Sequence, residues 1–174
     1  MRAATRALAT FRRRDEEAES AAPLPAIFVL EPEMSATAAV TASWSPASSL
    51  QVHGATDARG LAAGRATIER AVREQAVRTV VLCGEGTVRP DQARDRERLL
   101  AACAALRDDP GLGGVLRAGG VAVEALWFDR REGDVYLWNV ATRRFELLTD
   151  LELERFFAEI ERRADAARPS AAGR

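Results

Sequence analysis

From Pro25 onward the apolar positions switch repeatedly between short continuous runs and helical spacing. Ala26-Ile27-Phe28-Val29-Leu30 follows Pro25 as an unbroken apolar run, the pattern of a strand buried on both faces. Leu50-Gln51-Val52-His53 reads as a second short strand ending at Gly54. From Leu61 to Gln75, residues Leu61, Ile68, Ala71 and Val72 recur at helical spacing. Thr79-Val80-Val81-Leu82-Cys83 is the strongest strand signal, stopped by Gly84-Glu85-Gly86. Its centre, Val80 to Leu82, is expected to be the most deeply buried part of the chain. Asp91, after Pro90, is placed to cap a helix from Gln92 to about Arg107, with Leu99, Leu100, Cys103 and Leu106 inward. Val121–Phe128 and Asp134–Trp138 flank Asp129-Arg130-Arg131-Glu132-Gly133, a hairpin in which Gly133 takes positive φ. Thr149 or Asp150 opens a last helix with Leu151, Phe156, Phe157 and Ile160 inward.

This alternation predicts an α/β fold: a mostly parallel sheet with helices on both faces and an antiparallel edge strand from the C-terminal hairpin. Residues 23–166 are read as one α/β domain, preceded by an N-terminal helical arm over 1–22 and followed by a disordered tail over 167–174. The arm carries Leu8 and Phe11 on one side and the run Arg12-Arg13-Arg14-Asp15-Glu16-Glu17, which suits a solvated helix face better than a secretory or transit leader. Asp109-Pro110-Gly111-Leu112-Gly113-Gly114 and Gly119-Gly120 are turn chemistry around a short helix.

Composition narrows the chemistry. Hydrophobic residues make up 47% of the 174 and charged residues 29%, an ordinary globular balance. The net charge of −1 creates no field to recruit nucleic acid or an anionic membrane, and no apolar run approaches a membrane span. Every basic residue is arginine, which removes Schiff-base, P-loop and general-base lysines. Two cysteines, Cys83 and Cys103, make neither a disulfide framework nor a four-cysteine zinc site, and both read as small buried hydrophobes. Ser35 and Ser45 have no His–acid pair at a recognisable spacing. Gly84-Glu85-Gly86 lacks the spacing of a phosphate loop and puts a carboxylate where phosphate would sit. Trp127, Phe128, Tyr136 and Trp138 along the hairpin suit edge packing or a subunit interface better than base stacking.

In parallel sheets ligands gather beyond the carboxyl ends of the strands. Three segments leave those ends: Glu31-Pro32-Glu33-Met34-Ser35, His53-Gly54-Ala55-Thr56-Asp57 and Gly84-Glu85-Gly86-Thr87-Val88. In order and spacing, Pro23 to Leu148 resembles a β-class carbonic anhydrase. The resemblance sets Ile27–Leu30 on that family's first strand, with Glu31 at its first zinc-binding cysteine, Glu33 at the following aspartate and Ser35 at the arginine. Ser45-Pro46-Ala47-Ser48 resembles the Pro-Gly-Asp region, and His53 to Asp57 the Arg-Asn-Ala-Gly-Asn stretch. Val80-Val81-Leu82-Cys83-Gly84 is similar to the strand before the zinc-binding histidine, which sets Glu85 at the histidine and Val88 at the second cysteine. Val121 to Asp129, with Gly133, fits the closing hairpin.

The resemblance therefore implies the scaffold without its zinc set, and without the Asp–Arg pair that orients the metal-bound water. Two readings of the candidate site remain. Glu31, Glu33 and Glu85, with His53 nearby, could hold a divalent cation such as Mg²⁺ or Mn²⁺ rather than zinc, because oxygen donors suit hard cations. Alternatively the side chains splay to solvent, His53 bonds to backbone as a turn-end residue, and no cofactor is bound.

The expected function is then a zinc-free, non-catalytic β-carbonic anhydrase-like protein that binds a protein or small ligand. The alternative is a divergent metal-dependent hydratase or hydrolase whose carboxylate-rich site holds its cation through Glu31, Glu33 and Glu85; on either reading the candidate site at the former metal position comprises Glu31, Glu33, Ser35, His53, Asp57, Glu85 and Val88. The expected setting is cytoplasmic, with neither membrane nor nucleic acid as partner. A homodimer is expected: the resembling family pairs through sheet edges and N-terminal helices, and the aromatic edge from Val121 to Trp138 calls for cover.

Overall fold

The computed structural model describes residues 26–30, 49–53, 58–75, 77–86 and 89–167. The expected arm over 1–22 and the tail beyond residue 167 lie outside them. Among the described residues six strands form one sheet: β1 (Ala26–Leu30), β2 (Ser49–His53), β3 (Thr79–Gly86), β4 (Ala122–Asp129), β5 (Asp134–Asn139) and β6 (Arg144–Leu147). Among the described residues four helices accompany them: α1 (Ala58–Glu74), α2 (Arg89–Asp108), α3 (Leu112–Ala118) and α4 (Asp150–Ala166). The strand order is β2-β1-β3-β4-β5-β6. The first four strands are mutually parallel, and β5 and β6 are antiparallel to their neighbours. The expected α/β class is the observed one.

The two faces of the sheet have separate cores, as strand alternation requires. On one face Ile27, Val29, Val80, Leu82, Val123, Ala125 and Trp127 pack under Ile68 and Val72 of α1, Leu99, Cys103 and Leu106 of α2, and Leu112 and Leu116 of α3. On the other, Ala26, Phe28, Val81, Cys83, Leu126 and Phe128 meet Leu153, Phe157 and Ile160 of α4. Val80, Val81 and Leu82 are fully buried, as expected for a strand covered by helices on both sides.

Several boundaries differ from the sequence reading. β3 does not stop at Cys83 but runs on through Gly86, because it pairs residue by residue with β4 as far as Gly86 opposite Asp129. α2 begins at Arg89, so Asp91 lies within the first turn rather than capping it. Pro90 is tolerated there because an amide in the first helical turn has no partner to lose.

In α4 the buried stripe is Leu153, Phe157, Ile160 and Ala164, while Leu151 is 54% exposed and Phe156 only partly buried. At 100° per residue those four share one face, and Leu151 falls nearly opposite Leu153. The helix starts from a capping box: Thr149 Oγ1 accepts from the Glu152 amide at 3.3 Å, and the Glu152 carboxylate accepts from the Thr149 amide at 2.8 Å.

The hairpin is not the edge of the sheet. β6 pairs with β5 through Trp138 opposite Phe145, so the chain covers that edge itself. Trp127 and Phe128 are 1% and 5% exposed on the interior strand β4, while Tyr136, Trp138 and Phe145 pack against the α2-side core. They pack within the chain's own core.

Candidate functional site

Strand order places the site. β1 has β2 on one side and β3 on the other, so the chain reverses direction across the sheet between β1 and β3. Loops leaving the carboxyl ends of such a pair diverge and open a crevice. β3 reaches that end as Cys83-Gly84-Glu85-Gly86, with Cys83 and Glu85 on the α4 face and the two glycines on the α2 face.

Glu85 is the one candidate whose side chain is described. It is only 8% exposed, and its carboxylate lies 3.5 Å from the guanidinium of Arg130. The Arg130 amide also donates to the Gly86 carbonyl at 3.1 Å. The residue that leaves β4 is thus tied to the end of β3 by backbone and side chain together. The Glu85 carboxylate therefore does not splay into water but lies against a guanidinium.

Asp129, beside Arg130, accepts from Gln92 Nε2 at 3.1 Å and from the amides of Arg131 and Glu132 at 2.9 and 3.2 Å. Burial pushes its carboxyl up, but those three donors and the Arg96 charge outweigh it and hold Asp129 below the ordinary aspartate value. Arg96, one turn along α2 from Gln92, sits over three rings: Tyr136 at 4.8 Å, Trp127 at 5.3 Å and Phe145 at 5.4 Å. The charged residues that organise this end of the sheet are Arg130, Asp129 and Arg96, and the sequence reading named none of them as site residues. The signal was there in part, because Asp129 and Arg130 begin the predicted turn at a strand's carboxyl end.

His53 closes β2 opposite Leu30 of β1. Since Val29 pairs with Leu82, His53 lies level with Cys83, two strand spacings or about 10 Å away across the sheet. The registers thus bring His53 and Glu85 to the same end of the sheet, on strands that do not touch. Glu31, Glu33, Ser35, Asp57 and Val88 lie outside the described residues.

The two thiols are free and buried. Burial, and then the neighbouring Cys103, pushes the Cys83 thiol far above its ordinary value, and burial lifts Cys103 to about 12 despite Arg107 nearby. A guanidinium against Glu85 competes with any cation for that carboxylate. Among the described residues, no three His, Cys, Asp or Glu side chains come together as a metal site. Of the positions that the resemblance sets at the zinc ligands, Glu85 alone is described, and its carboxylate is paired with Arg130.

No family model matches the chain, and no curated protein does. Solved structures do. The β-carbonic anhydrase CcaA superposes with a TM-score of 0.56 at 12% identity, covering 81% of this chain and 92% of that one. The fold is that of a β-carbonic anhydrase. A second such enzyme, CafD of the filamentous fungus Aspergillus fumigatus, gives a TM-score of 0.45 at 13% identity over 76% of this chain and 91% of its own. At such identity the likeness speaks for the β-carbonic anhydrase scaffold alone. Among the described residues no helix is long and apolar enough to cross a membrane.

Proposed function

We propose that this chain is a zinc-free, non-catalytic protein on a β-carbonic anhydrase scaffold, acting as a cytoplasmic homodimer that binds a protein or small ligand at the crevice between β1 and β3. The observation that carries this reading is the Glu85–Arg130 pair. By resemblance, Glu85 occupies the position of a zinc-binding histidine, yet it is a carboxylate already matched by a guanidinium. Zinc lowers the pKa of bound water from 15.7 to about 7, and without that shift hydroxide is scarce at neutral pH. The same pair weighs against the carboxylate-held Mg²⁺ or Mn²⁺ of the alternative reading, since Arg130 must first be displaced.

The test is elemental analysis after dialysis, on wild type and on the triple variant Glu31→Cys, Glu85→His, Val88→Cys. Wild type is expected to hold no stoichiometric zinc, and titration with Mg²⁺ or Mn²⁺ to leave its melting temperature unchanged. The triple variant restores a Cys-His-Cys set and is expected to bind about one zinc per chain. Tightly bound zinc in wild type overturns the zinc-free reading. A folded but empty triple variant overturns the correspondence of positions.

A further inference from the structure

Arg96 adjoins a group of aromatic rings on the α2 side of the sheet. Its guanidinium carbon lies 4.8 Å from the centre of the Tyr136 ring, 5.3 Å from Trp127 and 5.4 Å from Phe145. Trp138 extends the group, edge to face with Phe145 at 5.3 Å between centroids. Trp127 is fully buried, whereas Tyr136, Trp138 and Phe145 are each only partly covered. The rings come from β4, β5 and β6, so the paired strands fix their spacing.

The guanidinium is held in place yet donates to nothing. Four arginines are part-buried among the residues whose side chains are described. Arg65 and Arg163 pair with Asp109 and Glu124, and Arg78 donates to the Val77 carbonyl. Arg96 alone of the four gives no hydrogen bond and has no carboxylate within ion-pair distance. Its Nε is enclosed without an acceptor, and so is Nε1 of Trp127 in the ring beside it. The two Nη atoms are not enclosed, so the open edge of the fork faces outward.

The complement of such a fork is an oxyanion. A guanidinium set over rings presents its in-plane edge, which suits the two parallel N–H···O bonds of a planar carboxylate better than a tetrahedral phosphate. Charge gives the same answer. Asp129 acts on Arg96 through space, and Asp134 accepts from the Tyr136 hydroxyl at 3.5 Å. Two negative neighbours tolerate a monoanion and repel a dianion. Asp129 does not take the fork itself, because Gln92 and the amides of Arg131 and Glu132 occupy its oxygens. Beside the fork, the partly open rings of Tyr136, Trp138 and Phe145 offer apolar surface on which a flat ring can stack.

We propose that Arg96 and these rings form a receptor for a small aromatic carboxylate, separate from the crevice between β1 and β3. The test is an NMR titration of the full chain with benzoate, following the Arg96 Nε–H and tryptophan indole signals. Acetate, benzyl alcohol and inorganic phosphate are the comparison probes. Benzoate is expected to shift the Arg96 signal saturably. Acetate lacks the ring, benzyl alcohol the charge and phosphate the planar monoanion, and each is expected to bind about tenfold more weakly or less. Arg96→Met is expected to abolish binding in a protein that circular dichroism shows to be folded. Arg96→Lys is expected to weaken it about tenfold, since an ammonium cannot form the parallel pair of bonds. If Arg96→Met fails to fold, the Arg96 signal of the wild type decides alone. The proposal is overturned by benzoate that leaves that signal unmoved, or by binding that survives Arg96→Met. It is overturned equally by any of the three comparison probes binding as tightly as benzoate. The crevice reading uses none of these residues, so its failure is separately visible in the metal analysis.

Discussion

Trp127 lies so close over Gly86 that a Cβ on residue 86 would stand 2.6 Å from its Cζ2 and 3.1 Å from its Cη2. Gly84 is crossed by the same ring, with a Cβ there 3.0 Å from Cε3 and Cζ3. The two glycines form a flat seat on β3 for an indole that is 1% exposed. Gly86→Ala is therefore expected to destabilise the fold by about 1–3 kcal/mol through overpacking, and Gly84→Ala by less. Combining Gly86→Ala with Trp127→Leu should cost less than the sum of the two single changes. Urea unfolding of the three variants checks this, and strict additivity would show that the ring does not transmit the clash.

The glycine pair shows why part of the site was illegible from sequence. A Gly-x-Gly at the end of an apolar run signals a turn. Only the partner strand reveals that the strand continues and that the glycines make room for a tryptophan forty residues on. By contrast, the Val80–Leu82 core and the order of the strands and helices other than β6 were legible, because continuous apolar runs and helical spacing are local signals. Glu85 and the sheet end it occupies were legible too, whereas its partner Arg130 looked like one turn residue among several.

β6 was missed for a related reason. The β4–β5 and β5–β6 connections use the same device. Asp129 Oδ1 accepts from the amides of Arg131 and Glu132, and Asn139 Oδ1 accepts from those of Ala141 and Thr142. Each turn then closes on a residue of positive φ, Gly133 at 76° and Arg143 at 53°. The first announces itself with glycine; the second does not. Arg143→Gly should relieve the left-handed conformation and stabilise the protein by about 0.5–1 kcal/mol. Thermal melting checks it, and a lower midpoint would mean that the Arg143 side chain contributes more than its backbone conformation costs.

Arg96 ties α2 to both C-terminal strand pairs by lying over Trp127, Tyr136 and Phe145. Its Nε is buried without a hydrogen-bond partner, which offsets part of the attraction. Arg96→Met keeps the aliphatic stem and removes the charge, and a net loss of about 1 kcal/mol is expected. Arg96→Lys should not recover it, since an ammonium cannot lie flat across three rings. Full recovery by lysine would reassign the interaction to charge alone, with Asp129 as its object.

Asp129 gives the fold a specific response to acid. Its carboxyl is held below the ordinary value of 3.8, burial being outweighed by Gln92, the Glu132 and Arg131 amides and Arg96. A group depressed on folding adds stability that is complete above its unfolded pKa and is lost as pH falls through its folded one. Wild type should therefore weaken as pH drops through and below about 4, where the unfolded chain takes up the proton first. Asp129→Asn keeps an oxygen for the two backbone amides but removes the charge that faces Arg96. The variant should be less stable than wild type at pH 7, with a shallower acid loss, and the two stabilities should converge near pH 2. Asp109, Glu146 and Glu152 are also held low, by bonds that Asp129→Asn does not touch, so they contribute equally to both curves. Unfolding free energies measured between pH 2 and 7 decide the matter. Parallel curves would place the acid response in those three carboxylates and leave Asp129 a turn residue whose charge is immaterial.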